Sequence, residues 1–202
     1  MLIQEFIKGG PIMWPILVLS IVTLGVIIER VFFLVQALKR RDSKSVQAVL
    51  DLCENDRFED AMATANASSD PIAGILAQGL DHRFHALQDA LIEASSQVLE
   101  QYNRGLVVLD TAVTLGPLLG LLGTVTGMMK AFGVVGSGGI ADKQMAITGG
   151  IAEALIAVTF GLCVAIAAIV PLNYFGAKLE TQRRLVESAV NRFTVLLGKK
   201  TC

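Results

Sequence analysis

The chain has 202 residues, 53% of them hydrophobic and 17% charged, with a mean hydropathy of +0.59. That is more apolar than an ordinary soluble domain, and a net charge of −1 gives no global reason to bind nucleic acid. Cys53, Cys163 and Cys202 are odd in number and far apart, which argues against a disulfide framework and a zinc site built from closely paired ligands.

Residues 1–10 carry Glu5 and Lys8 rather than a basic leader. The apolar run that follows lasts about 18 residues before Glu29 and lacks a small-x-small cleavage site, so it reads as a retained membrane helix rather than a cleaved signal peptide. This first span covers residues 11–35, with Trp14 as an interfacial anchor. Glu29 and Arg30 close it, and Arg30 is expected to snorkel to the interface.

Residues 36–105 read as a helical domain outside the bilayer. Val46, Leu50 and Cys53 share a helical face, and Phe58, Met62 and Ala65 continue at helical spacing. The stretch from Asn66 to Pro71 is a break, with Asp70 as N-cap and Pro71 in the first helical position. From Ala86 the helical pattern runs on through Gly105 into the next span, and the simplest expectation is a single helix of about 45 residues. His82 and His85 have i, i+3 spacing but no further ligand, so a solvated face is favoured over a metal site.

The second span covers residues 106–132 and the third residues 151–175, each long enough for a hydrocarbon core of about 30 Å. Between them, residues 133–150 form a loop that starts with the Gly-rich turn Gly133–Gly139, which lacks the Lys-Ser/Thr of a phosphate-binding loop. Residues 176–202 form a C-terminal helix. Thirteen lysines and arginines lie in the middle segment and the tail, against Lys8, Lys130 and Lys143 on the other side. Their bias places the middle segment and C-terminus in the cytoplasm and the N-terminus outside. The fold class is therefore all-α, with three transmembrane helices and long helices extending into a cytoplasmic helical domain.

Glu153 is the residue most open to chemistry. It lies a turn or less inside span three, and the next charge is Lys178. A charge at the bilayer centre costs on the order of 3 kcal/mol on insertion scales. Such a group faces a wet cavity or a partner, or carries a proton; the plainer alternative is an interfacial cap favoured by the helix dipole. Span two carries Gly116, Gly120, Gly123 and Gly127 within about 60° of one another, a stripe for close helix packing and assembly. Thr124 borders the stripe, free either to bond its own backbone at i−4 or to offer its hydroxyl to water. Span three repeats the small-residue pattern with Gly150, Ala154, Ala157, Gly161, Ala165 and Ala168. Thr159 falls about 120° from Glu153 on an ideal helix. Pro117 and Pro171 each remove a backbone hydrogen bond, which suits helices that kink. Asp110 fits an interfacial position near the cytoplasmic end of span two. The sequence shows no nucleophile-base pair, metal motif or cofactor loop, so neither an enzyme nor a cofactor is expected.

At these residues the chain resembles the MotA/TolQ/ExbB family of proton-channel proteins. Gly116-Pro117-Leu118-Leu119-Gly120-Leu121-Leu122-Gly123-Thr124-Val125-Thr126-Gly127-Met128 resembles its span-two signature. Gly150-Ile151-Ala152-Glu153-Ala154-Leu155, with Gly161-Leu162 and Val164-Ala165-Ile166, resembles that of span three. Trp14-Pro15, Glu29-Arg30, Asp70-Pro71 and Gly79-Leu80 match elsewhere. Three spans fit ExbB and TolQ better than the four-span MotA. Two positions depart: Val158 stands where threonine is common, with Thr159 following, and Ile166-Ala167-Ala168 replaces Ile-Pro-Ala, with Pro171 displaced.

The resemblance implies a homopentameric ring in a bacterial inner membrane, its pore holding the single spans of two copies of an ExbD/TolR-like partner. Protons would pass near Thr124, Thr159 and Glu153 and step the partner to drive a TonB- or TolA-like protein. An ExbB-like role in outer-membrane import is the leading expectation, with a TolQ-like role in envelope maintenance as the alternative. A purely structural membrane scaffold is the other reading, and a solute transporter lacks the internal repeat that transporters usually carry.

Overall fold

The computed structural model describes residues 9–83, 85–134 and 140–198, and among these it contains helices and no strand. Seven helices follow in chain order: α1 (Met13–Arg40), α2 (Ser43–Glu54), α3 (Phe58–Ala67), α4 (Pro71–Asp81), α5 (Leu87–Asn103), α6 (Leu106–Val134) and α7 (Ile140–Gly198). Contacts divide the chain into two compact units. One contains residues 1–30 and 105–174, the other residues 31–104 and 175–202.

Three helices are long and apolar enough to cross a membrane, all longer than the roughly 20 residues required: α1, α6 and the part of α7 from Ile147. In the first unit their large side chains point outward. Trp14, Val18 and Ile21 of α1, Leu118, Leu121 and Met129 of α6, and Leu155, Ile166 and Val170 of α7 are all exposed. In water such a surface would drive aggregation; in lipid it is the favourable one. Many of the side chains that these helices bury are small, Ala112, Ala131, Ala154, Ala157, Ala165 and Ala168 among them, beside a few large ones such as Met13, Ile16 and Leu109. Pro117 and Pro171 lie inside α6 and α7, and neither ends its helix.

The second unit has an ordinary hydrophobic core. Val49, Leu50 and Cys53 of α2, Ala61 and Ala65 of α3, Ile75, Leu76 and Leu80 of α4, and Leu91 of α5 close around Phe193, which is wholly buried. Residues 175–198 are thus not a free tail: Val186, Ala189 and Leu197 belong to the same core. Gly79 is required there, because a Cβ would sit 2.7 Å from Leu91 Cδ2 and 2.8 Å from Phe193 Cε1.

Two acidic caps fix the helix starts in this unit. The Asp42 side chain accepts from the backbone N–H groups of Lys44 and Ser45 at the start of α2. The Ser45 hydroxyl and these N–H groups hold its carboxyl below the usual carboxylate range. Asp70, only 4% exposed, accepts from Ile72 N–H at 2.8 Å as the N-cap of α4. Its other oxygen accepts from Asp42 N–H, also at 2.8 Å, tying the starts of α2 and α4 together. Asp70→Ala would orphan both donors. We expect a loss of about 1–3 kcal/mol in stability, measured by urea denaturation with helicity as the probe.

Tyr102 of α5 meets the Phe33 ring edge-on at a centroid distance of 5.2 Å. Burial pushes its hydroxyl above the ordinary value, and the charge of Asp70 adds to this while Arg41 opposes it. A raised folded value means that the folded chain holds this proton more firmly than the unfolded chain. The resulting stability is complete below about pH 10 and is lost as pH rises through the folded value. Denaturation midpoints measured across alkaline pH should therefore fall less steeply for Tyr102→Phe than for the wild type.

Three expectations need correction. The single helix through residues 86–132 is broken by a turn at Arg104 and Gly105, and Gly105 has φ +83. Only glycine adopts that backbone without cost, and at 105 a Cβ would also press on Arg30 Nε at 3.2 Å. Arg30 is not a snorkelling side chain either. It is 4% exposed, and its guanidinium forks onto the carboxylate of Glu29, with Nη2 to Oε1 at 2.7 Å and Nε to Oε2 at 3.3 Å. Its neighbour supplies the charge that lets the guanidinium leave water. The turn expected at 133–139 lies outside the described residues beyond Val134, and α7 begins at Ile140, earlier than residue 151.

Candidate functional site

The site is assembled by the packing of α6 against α7. The Gly116, Gly120, Gly123 and Gly127 stripe is used within the chain, and its partners are the small residues of α7. A Cβ at Gly116 would lie 2.7 Å from the Gly161 carbonyl oxygen, and one at Gly120 would lie 2.9 Å from Val158 Cα. A Cβ at Gly123 would overlap Ala157, and one at Gly127 would lie 2.7 Å from the Gly150 carbonyl oxygen. Gly161 and Gly150 return these contacts, so backbone meets backbone along the seam. In lipid, where apolar surface gains little by leaving its surroundings, such close dispersion contact is the main source of helix association.

This antiparallel register brings the end of α6 to Glu153. Lys130 Nζ lies 2.5 Å from Glu153 Oε1, with the Glu153 side chain 16% exposed and Lys130 51% exposed. Gly10 closes the carboxylate from a third side. Its φ is +74, and a Cβ there would overlap the Glu153 carboxyl group. Glu153 is thus held by a cation on α6 and by bare backbone preceding α1. Sequence reasoning counted Lys130 only as a topological charge and did not single out Gly10. The pairing becomes visible only once Gly127 is set opposite Gly150.

Thr124 and Thr159 stand apart from that cluster. Thr124 Oγ1 donates to Leu121 O at 2.7 Å, an i−3 bond rather than the expected i−4 bond. Thr159 Oγ1 donates to Leu155 O at 2.8 Å. Each hydroxyl keeps its lone pairs, so each can still accept from water or from a partner side chain. By the seam register, Thr124 lies between the Gly123–Ala157 and Gly127–Ala154 contacts, about midway in depth between Glu153 and Thr159. Thr159 is six residues farther along α7, roughly 9 Å. Among the described residues, no hydrogen bond joins the three.

Asp110 is exposed near one end of α6. His82 is an exposed residue whose Nδ1 lies 3.1 Å from Gln78 O. Among the described residues, no group of three His, Cys, Asp or Glu side chains could hold a metal ion.

Three apolar spans, a carboxylate set within one of them and a glycine seam define a multi-pass helical membrane protein. Residues 67–188 match the MotA/TolQ/ExbB proton channel family, and the chain belongs to that family. It is 34% identical over 141 residues to a biopolymer transport protein named ExbB-like 1 from Synechocystis sp., covering 68% of this chain and 55% of that one. It is 30% identical over 131 residues to ExbB-like 3 of the same organism, covering 61% and 60%. An ExbB homolog of Methanothermobacter thermautotrophicus is 24% identical over 137 residues, covering 66% and 49%. The chain therefore spans about half the length of the curated relatives it matches.

Proposed function

We propose that this chain is an ExbB-like proton-conducting motor subunit of a bacterial inner membrane, with its N-terminus in the periplasm and its C-terminus in the cytoplasm. Copies form a ring, expected to be a pentamer, around the single spans of an ExbD-like partner present in two copies. The complex uses the proton motive force to energise a TonB-like protein for outer-membrane import. Glu153, Thr124 and Thr159 line the proton route, Pro117 and Pro171 shape its helices, and the glycine seam holds spans two and three together.

The observation that carries this reading is the carboxylate of Glu153, seated within a membrane span and 16% exposed. A group that can take and release a proton at that depth is costly to insert and has a use where protons cross. The outward faces of all three spans remain available for lipid, further copies and the partner helix. Each proton that crosses 100 mV releases about 2.3 kcal/mol, enough to bias one step of a partner relative to the ring.

Co-expression with an ExbD-like single-span protein tests the assignment. A stable complex that supports uptake, and that stops when a protonophore collapses the gradient, is the expected result. A chain that purifies only with itself and leaves proton-driven uptake unaffected contradicts it. A TonB-like rather than a TolA-like neighbouring reading frame separates import from envelope maintenance.

A further inference from the structure

Three separate parts of the chain converge on one carboxylate. Lys130 comes from the end of α6, Glu153 from α7, and Gly10 from the turn before α1. Gly10 is not interchangeable, since both its φ of +74 and the space it leaves serve the Glu153 carboxyl group. Glu153 is largely enclosed while Lys130 is half exposed, so the ammonium has room to move away and the carboxylate does not. Among the described residues, Lys130 is the charged side chain within ion-pair distance of Glu153.

We propose that Lys130 is a built-in counter-ion and positioning residue for Glu153, a latch that pins the carboxylate between α6 and the Gly10 turn until a proton arrives. The inference rests on the place given to Glu153 in the proton route. An arriving proton binds one Glu153 oxygen and makes the neutral acid. Lys130 retains its own proton, loses its ionic partner and swings away from the carboxyl group. When the same proton leaves along the route, the carboxylate is restored and the ion pair closes again. Each passage then opens and closes one contact between spans two and three, at the end of the seam where Gly150 meets Ala131.

Infrared spectroscopy of the full chain in lipid nanodiscs at neutral pH tests this. Removing a neighbouring cation favours the neutral form of a carboxyl group. The wild type should lack a protonated-carboxyl band from Glu153, and Lys130→Gln should show one that disappears in the Lys130→Gln/Glu153→Gln double variant. Lys130→Arg, which keeps the charge, should again lack the band. Should Lys130→Gln fail to insert, Lys130→Met is read in the same way. A charge-removed variant without the band, or Lys130→Arg with it, overturns the latch. The measurement needs neither a partner nor a gradient. If Glu153 proves dispensable for proton-driven work while the band behaves as described, the motor reading fails and the ion pair stands.

Discussion

Replacing Glu153 with alanine should leave a chain that inserts and assembles as the wild type does, yet proton-dependent uptake should fall by about a hundredfold or more, the scale for losing an essential proton carrier. Assembly should survive because the seam does not depend on this side chain. The close approaches run through Gly116, Gly120, Gly123, Gly127, Gly150 and Gly161, and Ala154 and Ala157 fill the space between them. What is lost is the acid-base group and the ionic partner of Lys130. Oligomer size on native gels and uptake in cells are read side by side. Normal assembly with full uptake would remove Glu153 from the mechanism and leave a structural scaffold as the better account.

The seam makes the opposite prediction. Gly116→Ala should destabilise the chain by about 1–3 kcal/mol, the usual cost of forcing a methyl group into packed space. The neighbour it meets is the Gly161 carbonyl oxygen at 2.7 Å, which is backbone and cannot swing aside. The two helices must separate, and the Gly120 contact to Val158 separates with them. Gly74 is the control. It lies inside α4 with nothing within 4 Å of where its Cβ would be, so Gly74→Ala should stabilise by roughly 0.5–1 kcal/mol. Thermal unfolding of both variants in the same detergent is the comparison, and equal shifts would show that the stripe carries no packing role.

The three spans were legible because an uninterrupted apolar run near 20 residues has few other uses, and the caps at Asp70 and Pro71 because their chemistry is local. Gly105 was harder. Apolar residues continue on either side of it, so hydrophobic pattern argued for one helix, while the break depends on a backbone angle and on the Arg30 side chain pressed against it. Arg30 itself misleads, since a basic residue at a span end ordinarily reaches for water, and here Glu29 takes that place. Within the site, Glu153 stood out by its isolation in an apolar run. Lys130 lies 23 positions away in sequence, and its role appears only when two glycine stripes are set in register.

The central claim is that a carboxylate inside span three lets protons through a ring of these chains. Proton flux into vesicles holding the chain with its single-span partner, driven by an imposed potassium diffusion potential, tests it most directly. Flux that rises with the potential in the wild type and drops to the level of empty vesicles in Glu153→Gln is the expected result. Equal flux from the wild type and Glu153→Gln would contradict it.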